Sequence, residues 1–144
     1  MREIATEVEI AASPTKVWGI LTDLGRFSDW NPFISEAEGV VKKGADLKVH
    51  ISPPGGKPMT FKPRVTRVVP EREFRWLGRF LIPGVFDGEH IFELKPLSEN
   101  RSSLVQREKF GGLLVPLLWG SLHTRTRQGF NDMNAALKLK AEKE

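Results

Sequence analysis

The spacing of apolar residues changes near residue 112, and that change limits the folds open to this chain. From about residue 34 to residue 110, apolar and polar residues alternate in short segments separated by Gly, Pro and Asn, which predicts strands. After Gly111-Gly112 the apolar residues recur every three or four positions from Val115 to Leu137, which predicts one helix of roughly 25 residues with Pro116 in its first turn. Short turns favour an antiparallel meander, and only the long helix is large enough to cover one face of it.

The segment before the meander adds one strand and two short helices. Glu3–Ala11 alternates as a strand does, Ser13-Pro14 is typical of the start of a helix over residues 14–22, and Asp23–Pro32 forms a second short helical piece. Six more strands are predicted, over Ile34–Val41, Ala45–Ile51, Met59–Val69, Phe74–Leu81, Val85–Leu94 and Ser103–Phe110. The predicted fold is therefore α+β, a curved antiparallel sheet of about seven strands around a long C-terminal helix, in one domain over residues 1–144.

Composition excludes several classes of function. The 144 residues include no Cys, which excludes a disulfide framework, a thiol nucleophile and a thiolate metal site. The net charge of +4 is mild and the basic residues are interleaved with acids, so we expect no nucleic-acid partner. The three histidines fall on three predicted elements and no phosphate loop or dinucleotide fingerprint occurs, so we expect no metal and no cofactor. Without a signal peptide or a run of about 20 apolar residues, the chain is expected to be cytoplasmic, with no integral membrane association.

The last predicted hairpin can be registered by parity. Its phenylalanines and leucines are all even-numbered, namely Phe86, Phe92, Leu94, Leu104 and Phe110. Pairing about Glu99 places Leu94 opposite Leu104, Phe92 opposite Gln106 and His90 opposite Glu108. His90, Gln106 and Glu108 would then face the helix, whereas Asp87, Glu89, Glu93, Arg107 and Lys109 would face solvent. The His90–Glu108 pair is then a structural polar pair at the wet end of the sheet, a polar anchor in an apolar pocket, or a catalytic acid/base pair.

The preceding hairpin has a similar apolar pattern. A four-residue loop over Pro70–Glu73 would pair Val69 with Phe74 and Val65 with Gly78, and would place Arg67 opposite Trp76 for a cation–π contact. Met59, Phe61 and Val65 would share a face with Phe74, Trp76 and Phe80. This aromatic set is either plain core or the wall of a pocket, and Gly78 and Gly88 on the inner face would leave volume there.

Four segments together resemble a known superfamily. They are Ser13–Asp23, which fits the pattern S-P-x-x-V-W-x-x-L-T-D, then Trp30-Asn31-Pro32-Phe33, Gly88–Leu94, and Gln106–Leu114 leading into Pro116-Leu117-Leu118. The chain resembles the START-like (SRPBCC) superfamily, the helix-grip relatives of polyketide cyclases and dehydrases. The resemblance implies an apolar cavity between the sheet and the C-terminal helix that holds a lipid-, polyketide- or isoprenoid-like molecule. The expected ligand-binding residues are Trp30, Phe33, Met59, Phe61, Arg67, Trp76, Phe80, Phe86, His90, Phe92, Gln106, Glu108, Phe110, Leu118, Trp119 and Leu122.

Three functions remain open at this point. The first is binding of a hydrophobic small molecule, with His90 and Glu108 as the polar anchor. The second is an aromatase/cyclase- or dehydratase-like enzyme in which the same two residues act as acid and base. The third is a protein-interaction module that works through its outer surface. Because the chain lacks Tyr and any third compact acid or base for the pocket, the sequence favours binding over catalysis, and it leaves a monomer and a homodimer equally open.

Overall fold

The computed structural model describes residues 2–80 and 84–143, apart from the side chain of Phe80. In chain order the elements are β1 (Arg2–Ile10), α1 (Pro14–Leu21), a 3₁₀ helix (Leu24–Asp29), β2 (Ile34–Glu38), β3 (Lys48–Ile51), β4 (Met59–Phe61), β5 (Arg64–Val69), β6 (Glu73–Phe80), β7 (Phe86–Ser98), β8 (Arg101–Gly111) and α2 (Val115–Ala141). Five strands form one antiparallel sheet in the order β1-β8-β7-β6-β5, and β2-β3-β4 form a second. The predicted α+β helix-grip fold, with a curved antiparallel sheet and a long C-terminal helix, is confirmed.

The described residues form eight strands rather than about seven, because the predicted strand Met59–Val69 is divided. Lys62-Pro63 separates β4 from β5, and Pro63 has no N–H with which to continue a ladder. Its carbonyl instead accepts a hydrogen bond from the N–H of Leu47 at 2.8 Å. β2 also ends earlier than predicted, since Gly39 turns the chain with a φ of 128° and lies directly against Leu47.

The predicted register of the hairpin between β5 and β6 is wrong. Its loop has three residues, so Val69 pairs with Glu73 and not with Phe74. An extra residue on β5, Thr66, then shifts the register again, so that Val65 pairs with Trp76 and Arg67 with Arg75. Arg67 therefore lies on the outer face of the sheet, paired with the Glu73 carboxylate, and makes no cation–π contact opposite Trp76.

The loop itself contains the one described non-glycine residue with a positive φ. The N–H of Arg72 donates to the carbonyl of Val69 at 2.9 Å, and Glu71 has a φ of 62°. Pro70 followed by a left-handed residue is the pattern of a type II turn, which prefers Gly at the position of Glu71. The chain therefore carries backbone strain at this turn.

Replacing Glu71 with Gly should stabilise the protein. A left-handed non-glycine residue costs about 1–2 kcal/mol, and the extra freedom of Gly in the unfolded chain offsets part of the gain, so we expect an increase of about 0.5–1 kcal/mol in the free energy of unfolding. Urea denaturation measures it. The matched control Arg72→Gly, one position along, should destabilise, and equal destabilisation by both variants would contradict the assignment of the turn.

The second half of α2 packs tightly against the inner face of the five-stranded sheet. Phe130, Met133 and Leu137 are fully buried there, at the predicted helical spacing. Gly129 is buried as well, because the ring of Phe33 lies where a β-carbon of residue 129 would stand. The Phe33 ring meets the Phe130 ring edge to face, with centroids 5.6 Å apart. The absence of a side chain at Gly129 is thus what lets the segment after the 3₁₀ helix close on α2.

Gly129→Ala should destabilise the protein although alanine is the better helix former. Alanine gains up to about 1 kcal/mol over glycine in a helix, but its methyl group would overlap Phe33, and overpacking of this kind costs about 1–3 kcal/mol. The control is Gly120→Ala on the same helix, where no atom lies within 4 Å of the added carbon. We expect thermal denaturation to show a lower Tm for Gly129→Ala and a higher Tm for Gly120→Ala. A change of Tm in the same direction in both variants would contradict the close contact between Gly129 and Phe33.

The outer face of the sheet is less exposed than its charged sequence predicts. Arg107 donates to Glu93 and to Glu3, both at 2.7 Å, and the carboxylates raise the pKa of its guanidinium. Ile91, on the same face between Arg75 and Arg107, is fully buried. We attribute its burial to the aliphatic stems of the two arginines, which cover apolar surface while their charged ends stay paired. The five residues predicted to face solvent do lie on this outer face, but ion pairs cover much of it.

Candidate functional site

The predicted register of β7 and β8 is confirmed. Leu94 pairs with Leu104, Phe92 with Gln106, and His90 with Glu108. The strands are joined by a two-residue turn, and β7 runs to Ser98 rather than ending at Leu94. The register is uninterrupted from the Asp87–Gly111 pair to the Pro96–Ser102 pair, so the even-numbered side chains of this stretch share one face and the three polar residues lie together on the side of α2.

His90 and Gln106 belong to a chain of buried hydrogen bonds that joins four elements. His90 Nε2 lies 2.9 Å from Gln106 Oε1, and Gln106 Nε2 donates to Asn134 Oδ1 at 2.7 Å. Asn134 Nδ2 donates to Thr6 Oγ1 at 2.9 Å, and the Thr6 hydroxyl donates to the backbone carbonyl of Gln106 at 2.9 Å. An amide oxygen can only accept, so in the neutral imidazole the proton is on Nε2, and Nδ1 keeps its lone pair.

The imidazole of His90 is enclosed by aromatic rings. The ring of Phe92 stacks on it at 4.5 Å between centroids, and the rings of Phe130 and Trp76 lie at 4.9 and 5.0 Å. Burial among these rings lowers the pKa of His90 to about 4, against a smaller opposing effect of the hydrogen bond to Gln106. His90 is therefore neutral at physiological pH.

Glu108 lies on the other side of His90, with Oε1 3.7 Å from His90 Nδ1. Its side chain is 19% exposed, and burial raises the pKa of its carboxyl group to about 8. The carboxyl group occupies the place where a β-carbon of Gly88 would stand, so this glycine makes room for Glu108 and does not leave the empty volume that its position in the sequence predicts. Near pH 7 the pair is a carboxylic acid beside a neutral imidazole, and not an ion pair.

α2 covers the inner face of the sheet less completely around Glu108 than around His90. Along the first half of α2, Trp119 and Leu122 are only partly buried and Leu118 is exposed. The Trp119 ring packs edge to face on Phe110 at 5.8 Å, and Phe110 packs likewise on Phe86 at 6.0 Å. The expected site residues on this side thus lie at the same end of the inner face as the partly exposed carboxyl group of Glu108.

Several other expected site residues lie elsewhere. Phe33 is buried between the 3₁₀ helix and α2, whereas Trp30 is partly buried against Phe27, and its indole N–H has no hydrogen-bond partner among the described residues. Phe61 packs against the core from β4, but Met59 on the same strand is exposed, so the prediction that it shares a face with Phe74 is wrong. Arg67 is on the outer face, as described above, and the side chain of Phe80 lies outside the described residues.

Two surface depressions, of about 510 and 500 Å³, lie away from this inner face. The first is lined by residues of the β2–β3 connection and Lys62, and the second lies on the outer face around Glu73, Arg67 and Lys95. Within residues 2–80 and 84–143, no three His, Asp or Glu side chains converge as metal ligands do. No helix of the described chain combines the length and the apolar character needed to cross a membrane.

Sequence reasoning missed two members of the polar chain, Thr6 and Asn134. Thr6 shares the inward parity of Ile4, Val8 and Ile10 on β1, and Asn134 lies four residues after Phe130 on the buried side of α2. Both residues are polar and stand at positions where the spacing of apolar residues predicts burial. This is the feature of the sequence that could have identified them. Buried polar groups need partners, so each of the two predicts one inside the core.

Comparison with known proteins agrees with this fold. The sequence profile of the family described as polyketide cyclase / dehydrase and lipid transport matches residues 1–142, and the chain belongs to that family. Among solved structures, it is similar to the ZhuI aromatase/cyclase from Streptomyces sp. R1128, with a TM-score of 0.81 and 19% identity over 98% of this chain and 93% of that one. A START superfamily protein from Mycobacterium smegmatis gives 0.78 and 18%, over 97% of both chains. A protein from Thermus thermophilus gives 0.77 and 17%, over 99% of this chain and 100% of that one. No curated protein sequence matches this one.

Proposed function

We propose that this protein binds a hydrophobic small molecule between the five-stranded sheet and the first half of α2, with Glu108 as its polar anchor. The observation that carries the proposal is the position of Glu108 on an apolar inner face, a carboxyl group that is still partly open to solvent and has no cationic partner among the described residues. Such a group is costly to bury unless something hydrogen-bonds to it. The family to which the chain belongs includes lipid transport in its description, which supports a lipid-, polyketide- or isoprenoid-like ligand.

The protonation states of His90 and Glu108 limit which polar groups the ligand can carry. His90 Nε2 is committed to Gln106, and the protonated Glu108 has one O–H to donate and one oxygen to accept. A neutral carbonyl or hydroxyl group satisfies this carboxylic acid, whereas a carboxylate would add a second negative charge whenever Glu108 ionises. The expected ligand is therefore apolar over most of its surface and carries an uncharged oxygen at one end.

Binding of N-phenyl-1-naphthylamine, an apolar fluorescent probe, tests the site without knowledge of the natural ligand. Gly88→Leu would displace the Glu108 carboxyl group and fill the space around it, so we expect about tenfold weaker binding of the probe. Leu122→Trp is a second variant, which adds volume from the partly buried side of α2. Gly25→Leu, at an open position in the 3₁₀ helix, is the control. Unchanged affinity in both pocket variants would refute the proposal. Native mass spectrometry of protein from its own host, followed by extraction, would then identify the ligand.

A second candidate function is proton-transfer catalysis of the aromatase/cyclase or dehydratase type. The observation that favours it is a carboxylic acid with its pKa raised to about 8, next to an imidazole whose Nδ1 lone pair is directed to the same side. Such a pair can donate and accept a proton near neutral pH. If the protein is an enzyme, Glu108→Gln should abolish turnover of carbonyl-bearing aromatic precursors and leave probe binding nearly unchanged. Unchanged turnover in both Glu108→Gln and His90→Ala would exclude these roles.

A further inference from the structure

Three leucines are exposed at and just before the start of α2. Leu113 is 80% exposed and Leu117 is 82% exposed, and Leu118 beside them is about half exposed. The segment that carries Leu113 is held in place, since its N–H donates to the carbonyl of Gly84 at 3.0 Å and the N–H of Leu114 donates to that of Val85 at 3.0 Å. Single exposed leucines are ordinary on a protein surface. Neighbouring exposed leucines in a fixed segment are typical of an interaction site, and we refer to Leu113, Leu117 and Leu118 as the leucine patch.

Cations outnumber unpaired acids around this leucine patch. From Lys109 to Asn131 the sequence contains three cations and no Asp or Glu, although Arg127 lies on the opposite side of α2 from Leu118 and donates to the carbonyl of Ala5 at 3.0 Å. The guanidinium of Arg2 adds a fourth, 5.3 Å above the ring of Trp119. Glu3 and Glu89, which lie opposite Lys109 on the neighbouring strands, form ion pairs with Arg107 and Arg75.

The helix geometry places leucine and cation on one side. Leu118 and Arg125 are seven residues apart, which is nearly two full turns, so they lie on the same stripe of α2 about 10 Å apart along its axis. Leucines inserted into the interfacial region of a bilayer, with Arg and Lys beside them at the level of the phosphates, are the arrangement of helices that lie on anionic membranes.

We propose that the leucine patch and its surrounding cations dock the protein on the surface of an anionic lipid bilayer. The docked face is the end of the domain where the cover of the inner face is loosest, so the mouth of the proposed ligand site would face the lipid. The docking itself goes beyond that site, because it needs no ligand in place. A second copy of the chain suits the patch less well, since three leucine side chains offer far less area than the ~800 Å² per partner of a stable interface, and the cations of two copies would repel.

Co-sedimentation with phosphatidylcholine vesicles, with and without phosphatidylglycerol, tests the docking. We expect the protein to sediment with the anionic vesicles and roughly tenfold less with the neutral ones, and added salt should release it. The double variant Leu113→Ser with Leu117→Ser should lower the partition into anionic vesicles about tenfold. Its control is Leu139→Ser, at the other end of the same helix, where the leucine is 64% exposed. Arg125→Gln should weaken binding, and the control Lys95→Gln on the β7 end of the sheet should not.

The outcomes separate the alternatives. Absence of sedimentation with anionic vesicles, or an equal loss in Leu139→Ser, overturns the proposal. A dimer in sedimentation velocity that dissociates in the double variant, without vesicle binding, would assign the leucine patch to a second copy instead. Because the N-phenyl-1-naphthylamine assay contains no vesicles, failure of docking leaves its result untouched, and the two proposals fail independently.

Discussion

Raising the pH from 6.5 to 8 should lower the contribution of the His90–Glu108 pair to the free energy of unfolding by about 1 kcal/mol. In the folded protein the pair holds one proton between about pH 4 and about pH 8. In the unfolded chain the glutamate loses its proton near 4.5 and the histidine near 6.5, so above pH 6.5 the unfolded pair holds none. The folded state then binds one proton more, and stability falls with rising pH until Glu108 ionises.

Below pH 6.5 the two groups oppose each other. Glu108 with its raised pKa lowers stability as the pH rises above 4.5, whereas His90 with its lowered pKa increases stability as the pH rises from about 4 to 6.5. Their contributions nearly cancel between pH 4.5 and 6.5, so this pair alone predicts a plateau there and a decline above it.

The variant Glu108→Gln separates the contribution of Glu108 to the pH dependence of stability from that of His90. The variant cannot ionise at this position, so the difference in stability between the variant and the wild type should shift in favour of the variant by about 1.5 kcal/mol between pH 6.5 and 8. Urea denaturation at several pH values measures the difference. Glu38→Gln, at an exposed position of β2, is the control and should give a difference independent of pH over this window. A flat difference for Glu108→Gln would mean that the carboxyl group is ionised and solvated in the folded protein.

Phe130→Ala should cost about 3–5 kcal/mol, which is a large part of the ~5–15 kcal/mol that stabilises a typical domain. Phe130 is fully buried, and its ring touches both Phe33 and His90. Removal of the ring leaves a cavity between the sheet and α2, and the polar chain through Gln106 and Asn134 limits how far the walls can collapse into it. We expect Tm to fall by roughly 10–15 °C.

Two control variants test whether the loss of stability in Phe130→Ala comes from the buried ring. Leu139→Ala removes an exposed leucine from the same helix and should change stability by less than about 0.5 kcal/mol. Phe130→Leu keeps most of the apolar volume and should recover more than half of the loss. A cost below about 1 kcal/mol for Phe130→Ala would mean that this helix does not pack on the sheet as described.

The sequence predicted those parts of the fold that depend on local pattern. Parity alone gave the register of β7 and β8 because neither strand contains an extra residue over the paired inner positions, so the placement of His90 opposite Glu108 is correct. The same reasoning failed for β5 and β6, since the extra residue Thr66 and the left-handed Glu71 have no signature in the alternation of apolar residues. Register transmits an error of one residue to every position beyond it, which is how Arg67 was assigned to the wrong face.

The properties that give the candidate site its chemistry depend on the tertiary structure. The tautomer of His90 follows from Gln106 and Asn134, and the raised pKa of Glu108 follows from burial under α2. The place of the Glu108 carboxyl group beside Gly88 is equally invisible in the sequence, where the glycine predicts empty space. Sequence identified the residues of the pair; only the packing of the helix on the sheet sets which protons they hold.

The pairing of β1 with β8 has a consequence for synthesis on the ribosome. Arg2 pairs with Phe110, and the hydrogen bond from Asn134 to Thr6 spans 128 residues. During synthesis β1 therefore waits for more than 100 further residues before it finds either its neighbour or the helix that buries it, and contacts this distant along the chain slow folding. During that interval the apolar side chains of Ile4, Val8 and Ile10 have no strand or helix to pack against. Chaperones that bind extended apolar segments should find their first binding site there.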